Sequence, residues 1–246
     1  MLEEIKVIEY ESIGSTNAEA KAYAINAESY SPVLFIAREQ SAGRGRLGRS
    51  FLSRSGRGIY MSLLYFVKGE LCDAVSVTTR AAVVVACAIE KVTGKPMKIK
   101  WVNDIYNSRG KVAGILAKSL AVGDRRAIIV GVGINTGEDS FPPELEAIAS
   151  SIGEVGDGER KEIISLVAKG LLSSESADFM AEYRKRFMLL SERVELFSAG
   201  ESLGCGTVMG VSDDGGLMFC ADGEDAPRIV RSGEISVRKT EKQTRE

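Results

Sequence analysis

Lys111 to Gly137 reads K-V-A-G-I-L-A-K-S-L-A-V-G-D-R-R-A-I-I-V-G-V-G-I-N-T-G. Two apolar runs, K-V-A-G-I-L-A-K-S and A-I-I-V-G-V-G-I-N-T-G, stand on either side of a charged turn at Gly123–Arg126. That arrangement predicts neighbouring strands of an antiparallel pair. Glycine weakens a strand, so Gly114, Gly131 and Gly133 mark places where a ligand or another backbone comes close. Gly131-Val132-Gly133 is not a dinucleotide-binding turn, because Thr136 stands where the third glycine belongs and no helix follows. No G-x-x-x-x-G-K-[ST] phosphate loop occurs either.

Working outward, Met97–Trp101 (M-K-I-K-W) alternates like a strand and leads into V-N-D, where Asn103 and Asp104 are turn formers. Residues 74–93 are rich in alanine and valine and read as a buried helix ending at Gly94. Strands are expected at 5–10, 33–37 and 58–67. A helix is expected from Ser15–Asn17 to about Ala27, with Thr16 and Glu19 at capping-box spacing. Its start offers unpaired N–H groups that a polar ligand can use, although from these residues alone the simpler reading is that Ser15, Thr16 and Asn17 merely cap the helix. On the far side, 143–152 and 159–190 carry helical patterning. Residues 193–238 then hold five short β-rich runs separated by turns, the pattern of a small barrel. The tail 239–246 is polar.

The chain has 246 residues, a net charge of −2 and a charged fraction of 27%, which argues against a general nucleic-acid binder. It contains no histidine, so histidine triads, histidine metal ligands and imidazole acid–base chemistry are excluded. Cys72, Cys87, Cys205 and Cys220 are scattered without a C-x-x-C pair, which reads as free thiols in a reducing compartment. The N-terminus lacks the pattern of a signal peptide, and the longest apolar run, Ala81–Ile89, is far short of a bilayer span. A cytoplasmic protein with no membrane partner is expected.

The positive charge is local. From Arg38 to Arg57 there are six arginines, no lysine and one acid, Glu39. At its centre lies Q-S-A-G-R-G-R-L-G-R-S-F, Gln40–Phe51, where Arg44, Arg46 and Arg49 are interleaved with Gly43, Gly45 and Gly48. Glycine disfavours a helix or core strand here, and the guanidinium fork matches carboxylates and phosphates two bonds at a time. Such a loop suits a small, multiply anionic ligand. RG-rich loops can also bind nucleic acid, so the loop alone does not decide between the two.

Taken together, these motifs resemble those of the biotin protein ligases, and the resemblance runs from Ser15 to about Arg238. S-T-N at Ser15, Thr16 and Asn17 is similar to the family's biotin-contacting triplet. Gln40 with the following G-R-G-R-L-G-R resembles its adenylate-binding loop. K-W-V-N-D at Lys100–Asp104 is similar to its K-W-P-N-D, K-V-A-G-I-L to the stretch with its essential lysine, and G-V-G-I-N to its biotin-pocket strand. G-G-L near Leu217 and S-G-E-I-S at Ser232–Ser236 resemble its C-terminal domain. The resemblance implies an α+β fold: a mixed, mainly antiparallel sheet flanked by helices, of the class II synthetase type, over residues 1–190. An SH3-like β-barrel is implied over 191–238.

The same resemblance implies a reaction. Biotin and ATP give biotinyl-adenylate, whose acyl group passes to a lysine of a biotin carboxyl carrier protein. Lys111, Arg44 and Arg46 are the implied catalytic cations. Ser15, Thr16, Asn17, Gln40, Gly114, Gly131 and Gly133 are assigned to biotin. Arg44, Gly45, Arg46, Arg49, Trp101, Asn103, Asp104, Lys111 and Asn135 are assigned to the adenylate. Mg²⁺ is expected to arrive with ATP, near Asp104, with no dedicated metal site. Members that double as repressors carry an N-terminal helix-turn-helix; here the motifs begin by Ser15, so no specific DNA is expected, while a homodimer is left open. Leu47, Phe51 and Val102 depart from residues common in the family. A lipoate ligase of related fold is the rival enzyme, but its R-R-x-S-G-G is missing. An Arg/Gly-loop nucleic-acid module is the rival of another class.

Overall fold

The computed structural model describes residues 5–68, 74–138, 141–173, 178–231 and 235–240. Cys72, Ser232–Glu234 and the tail beyond residue 240 lie outside the described residues. The stretch 111–137 forms two strands, Lys111–Val122 and Arg125–Asn135, paired antiparallel from Ala113↔Ile134 to Val122↔Arg125. In chain order the first sheet comprises β1 (Lys6–Ile13), β2 (Val33–Gln40), β3 (Gly58–Lys68), β4 (Lys98–Lys100), β5 (Asp104–Tyr106), β6 (Lys111–Val122) and β7 (Arg125–Asn135). Its seven strands lie in the order β1-β2-β3-β7-β6-β5-β4, with only β1 and β2 parallel.

Helices cover both faces. On one face lies α1 (Thr16–Ile25), where Ala20 and Ala24 pack on Val33, Phe35, Leu64, Ala127 and Ile129. On the other lie α2 (Ala74–Thr93), α4 (Asp157–Leu172) and α5 (Phe179–Arg186), while the short α3 (Pro143–Glu146) sits in the connection from β7 to α4. Helix α2 buries residues around much of its circumference, from Val75 to Ile89, because it has the sheet on one side and α4 and α5 on another. Its alanines and valines fit that position, since a helix apolar on most sides must be enclosed.

The five C-terminal runs form β8 (Arg193–Ser198), β9 (Glu201–Val211), β10 (Leu217–Ala221), β11 (Arg228–Val230) and β12 (Ile235–Lys239). They pair as one antiparallel sheet in the order β11-β10-β9-β8-β12. Val194, Leu196, Val208, Leu217 and Phe219 of this sheet join the same apolar cluster as α2 and the first sheet. Among the described residues no helix is long and apolar enough to cross a membrane.

Three local expectations need correction. The capping box at Thr16 does not form: Ser15 is the N-cap and makes no side-chain cap bond, because the Thr16 hydroxyl is engaged with Gln40 and Ser62. The helix expected over 143–152 stops at Glu146. Beyond it the backbone pairs with strand ends instead of with itself: Lys111 N donates to Ile148 O, Ser150 N to Lys111 O and Ile152 N to Asn135 O. The helix expected over 159–190 is two helices, α4 and α5, and 187–190 are not helical.

Candidate functional site

The end of α1 creates a cavity. In a strand, alternate residues share a face, so Ala127, Ile129, Gly131, Gly133 and Asn135 of β7 all look toward α1. Under the helix these positions are apolar and filled. Past its N-terminus they become glycine, and Gly114 of β6 lies beside Gly133 in register. Nothing with a side chain fits at two of them. A Cβ on Gly131 would stand 2.0 Å from Asn17 Nδ2, and one on Gly133 would stand 2.5 Å from the Phe51 ring. The glycines are the floor of a pocket of about 260 Å³.

Every residue assigned to a site from the sequence lines this pocket. Ser15, Thr16 and Asn17 come from the start of α1, Gln40 from the end of β2, and Gly114, Gly131 and Gly133 from the floor. Arg44, Gly45, Arg46 and Arg49 come from the loop, Trp101, Asn103 and Asp104 from the β4–β5 turn, and Lys111 and Asn135 from strand ends.

At the α1 end the polar groups are fixed by one another. Gln40 Oε1 accepts from Thr16 N at 2.9 Å and from Thr16 Oγ1 at 3.1 Å, and Ser62 Oγ donates to Thr16 Oγ1 at 2.8 Å. Asn17 Nδ2 makes a long bond to Leu116 O at 3.5 Å, while its Oδ1 is buried without a hydrogen-bond partner. A buried acceptor without a donor is costly, so this atom is poised for a ligand N–H.

The other end is cationic. Lys111 Nζ lies 2.6 Å from Asp104 Oδ1, a charge contact without hydrogen-bond geometry. Arg46 donates from Nη1 to Asn103 Oδ1 at 2.7 Å and from Nη2 to Ile235 O at 3.1 Å. Asn103 is held in turn by Ile115 through its Nδ2 at 3.0 Å. Burial lowers Arg46 from the ordinary arginine value, with Asp104 opposing and Arg49 adding to the effect. Burial likewise lowers Lys100, again opposed by Asp104. Trp101 is buried and donates its indole N–H at 2.9 Å to Gly215 O in the turn between β9 and β10. Asn135 donates to Ser150 O at 3.0 Å. Val102 is buried, and its carbonyl accepts from Tyr183.

Several lining residues carried no sequence assignment. Phe141, Leu145, Ile148 and Ala149 form one wall, and Ile235–Val237 of β12 close another. No local pattern marks them, since they reach the pocket through tertiary packing. Lys100 lines it too and sat unassigned inside K-W-V-N-D. The sequence names no partner for the loop arginines, and Asn103 and Ile235 are among those of Arg46. Among the described residues no group of three or more acidic or cysteine side chains could hold a metal ion. Asp104 is the acid among the described lining residues.

Residues 10–135 match the sequence model described as the biotin/lipoate A/B protein ligase family. The bifunctional ligase/repressor BirA of Bacillus spizizenii is 34% identical over 223 residues, covering 85% of this chain and 68% of the relative. The biotin--[acetyl-CoA-carboxylase] ligase of Mycobacterium tuberculosis is 28% identical, covering 90% of this chain and 85% of its own length. The structure of biotin protein ligase from Aquifex aeolicus in complex with biotin and ATP superposes with a TM-score of 0.78 at 25% identity, over 96% of this chain and 99% of that one.

Proposed function

The chain belongs to the biotin/lipoate A/B protein ligase family, and from that premise we propose that it is a biotin protein ligase. It activates biotin with ATP to biotinyl-5′-AMP and transfers the biotinyl group to a lysine of a biotin carboxyl carrier protein. The observation that carries this reading is one continuous pocket with two chemically distinct ends. A glycine-floored, hydrogen-bonding end under Asn17 and Gln40 opens into an end lined by Arg46, Lys100 and Lys111. The first suits an uncharged bicyclic head group, and the unpartnered Asn17 Oδ1 suits a ureido N–H. The second suits a carboxylate meeting a polyphosphate.

In the first step a biotin carboxylate oxygen attacks the α-phosphorus, and the bond to the pyrophosphate leaving group breaks. Two anions must approach, so fixed cations lower the barrier most, and they do so better when held in place before the reaction. Arg46 is held by Asn103 and by β12, and Lys111 by its backbone bonds to 148–150. We assign these two, with Arg44, to the phosphate, and Arg49, Gly45, Trp101, Asn103, Asp104 and Asn135 to the adenylate end. Mg²⁺ belongs to the co-substrate, where it offsets phosphate charge, and Asp104 is the side chain that would meet it. In the second step the carrier amine attacks the acyl carbon, the bond to phosphate oxygen breaks and AMP leaves.

We place the catalytic unit at 1–190 and the C-terminal unit at 191–238, with β12 lending residues to the catalytic pocket. We place the protein in the cytoplasm, a compartment that supplies ATP and keeps thiols reduced. The test is mass spectrometry of products after incubation with ATP and either biotin or lipoate. Biotinyl-adenylate, and a carrier domain heavier by one biotinyl group, are expected. Lipoyl-adenylate with no biotinyl product would move the chain to the other branch of its family.

A further inference from the structure

A polar chain that leaves the pocket at Gln40 ends on two serines that do not line it. Gln40 Nε2 donates to Ser53 Oγ at 3.0 Å, and Ser53 Oγ donates onward to Phe51 O at 3.1 Å. On the other side Ser62 Oγ donates to Thr16 Oγ1, which donates to Gln40 Oε1. Ser53 and Ser62 are buried, 4% and 0% exposed, and each has its hydroxyl committed in one direction. The backbone repeats the link, because Gln40 N donates to Ser53 O at 3.1 Å and closes the neck of the arginine loop. Gly43 packs into the same clasp: a Cβ there would stand 2.5 Å from Phe51 O and 2.7 Å from Ser53 Oγ.

We propose that Ser53 is a positioning residue that sets the Gln40 carboxamide for biotin and ties it to the loop through Phe51. The Thr16 N–H decides which end of the amide faces α1, since only an oxygen can accept there. Ser53 fixes the angle of the plane and leaves the second Nε2 hydrogen for the pocket. The Phe51 carbonyl it grips belongs to the residue whose ring lies on the glycine floor, so one hydroxyl holds both the carboxamide and the floor of the head-group end. This rests on the biotin-ligase reading.

The test compares wild type, Ser53→Ala, Ser53→Thr and Ser62→Ala, measuring the biotin Kd without ATP, the KM for ATP and the melting temperature. Ser53→Ala should weaken biotin roughly 5- to 10-fold, the scale of one lost buried hydrogen bond, and move the KM for ATP by less than about twofold. Ser53→Thr, which keeps the hydroxyl, should recover most of the biotin affinity. Should Ser53→Ala not fold, Ser62→Ala cuts the same chain from behind the pocket and should give the same biotin-selective loss. Unchanged biotin affinity in a folded variant, or equal losses for biotin and ATP, would overturn the proposal. A wild type that binds no biotin would overturn the ligase reading itself.

Discussion

Lys111 Nζ stands 2.6 Å from Asp104 Oδ1, with both side chains about a quarter to a third exposed. The pair lies on facing strands, and the backbone of Lys111 is bonded on both sides to 148–150. The ammonium therefore has a fixed root and a carboxylate partner that it can exchange for a phosphate. Lys111→Met keeps most of the stem and removes the charge and its donors. Adenylate formation should slow by roughly 10²–10³, a typical loss for one transition-state donor. Biotin affinity without ATP should change little, because the glycine floor is untouched. Transfer from preformed biotinyl-adenylate, measured separately, assigns the loss to the first step. A variant that forms adenylate at the wild-type rate would remove Lys111 from that role.

The glycine floor makes a second expectation. Gly131→Ala places a methyl 2.0 Å from Asn17 Nδ2, so Asn17 must move off the pocket wall. Overpacking of this kind costs about 1–3 kcal/mol, or roughly 5- to 150-fold in a dissociation constant. Biotin titration by calorimetry should show a weakening in that range, with the far-ultraviolet spectrum preserved. Wild-type affinity in Gly131→Ala would mean the head group does not lie against this strand.

How far the site could be read beforehand depends on where each residue's information lies. Gly131 and Gly133 were legible because a glycine inside an apolar strand has a local cost that only a close neighbour explains. Helix α2 was legible from composition, and its bounds came out at Ala74–Thr93. The 147–152 segment was not, because its backbone pairs with β6 and β7, whose positions no window of eight residues contains. Ile235 reaches Arg46 across 189 residues of chain. Ser53 carries no sequence signal of its own, because its partner Gln40 stands at the other end of the same loop.

Arg46 makes a third expectation through its fork. Its two terminal nitrogens bond Asn103 Oδ1 and Ile235 O at once. Lysine keeps the charge but cannot span both acceptors in one plane. Arg46→Lys should therefore raise the KM for ATP about tenfold, on the scale of one lost charge-assisted bond. Biotin binding measured alone should stay near the wild-type value. Steady-state kinetics with each substrate varied in turn would show the split, and an unchanged KM for ATP would contradict the assignment.

The last expectation concerns the order of the arginine loop. In the structure it is a compact turn held by Gly45 N to Arg49 O, Arg49 N to Arg46 O and Phe51 N to Gly43 O. It is not at rest there. Leu47 has φ 57° and ψ 31°, a left-handed conformation that costs an L-residue roughly 1–2 kcal/mol, and its apolar side chain is 44% exposed. Arg44 and Arg49 are exposed as well, whereas Arg46 is anchored. An Arg-specific protease should therefore cut after Arg44 and Arg49 faster than after Arg46 in the free protein. With biotin and ATP together, phosphate oxygens would engage the free guanidiniums and the loop would shield the hydrolysable anhydride from water. All three sites should then become resistant by about tenfold or more, on the scale of one or two added charge-assisted bonds. Biotin alone should leave cleavage after Arg44 and Arg49 close to the rate of the free protein. Cleavage at Arg44 and Arg49 that proceeds equally with and without both ligands would show that the loop does not fold over the intermediate.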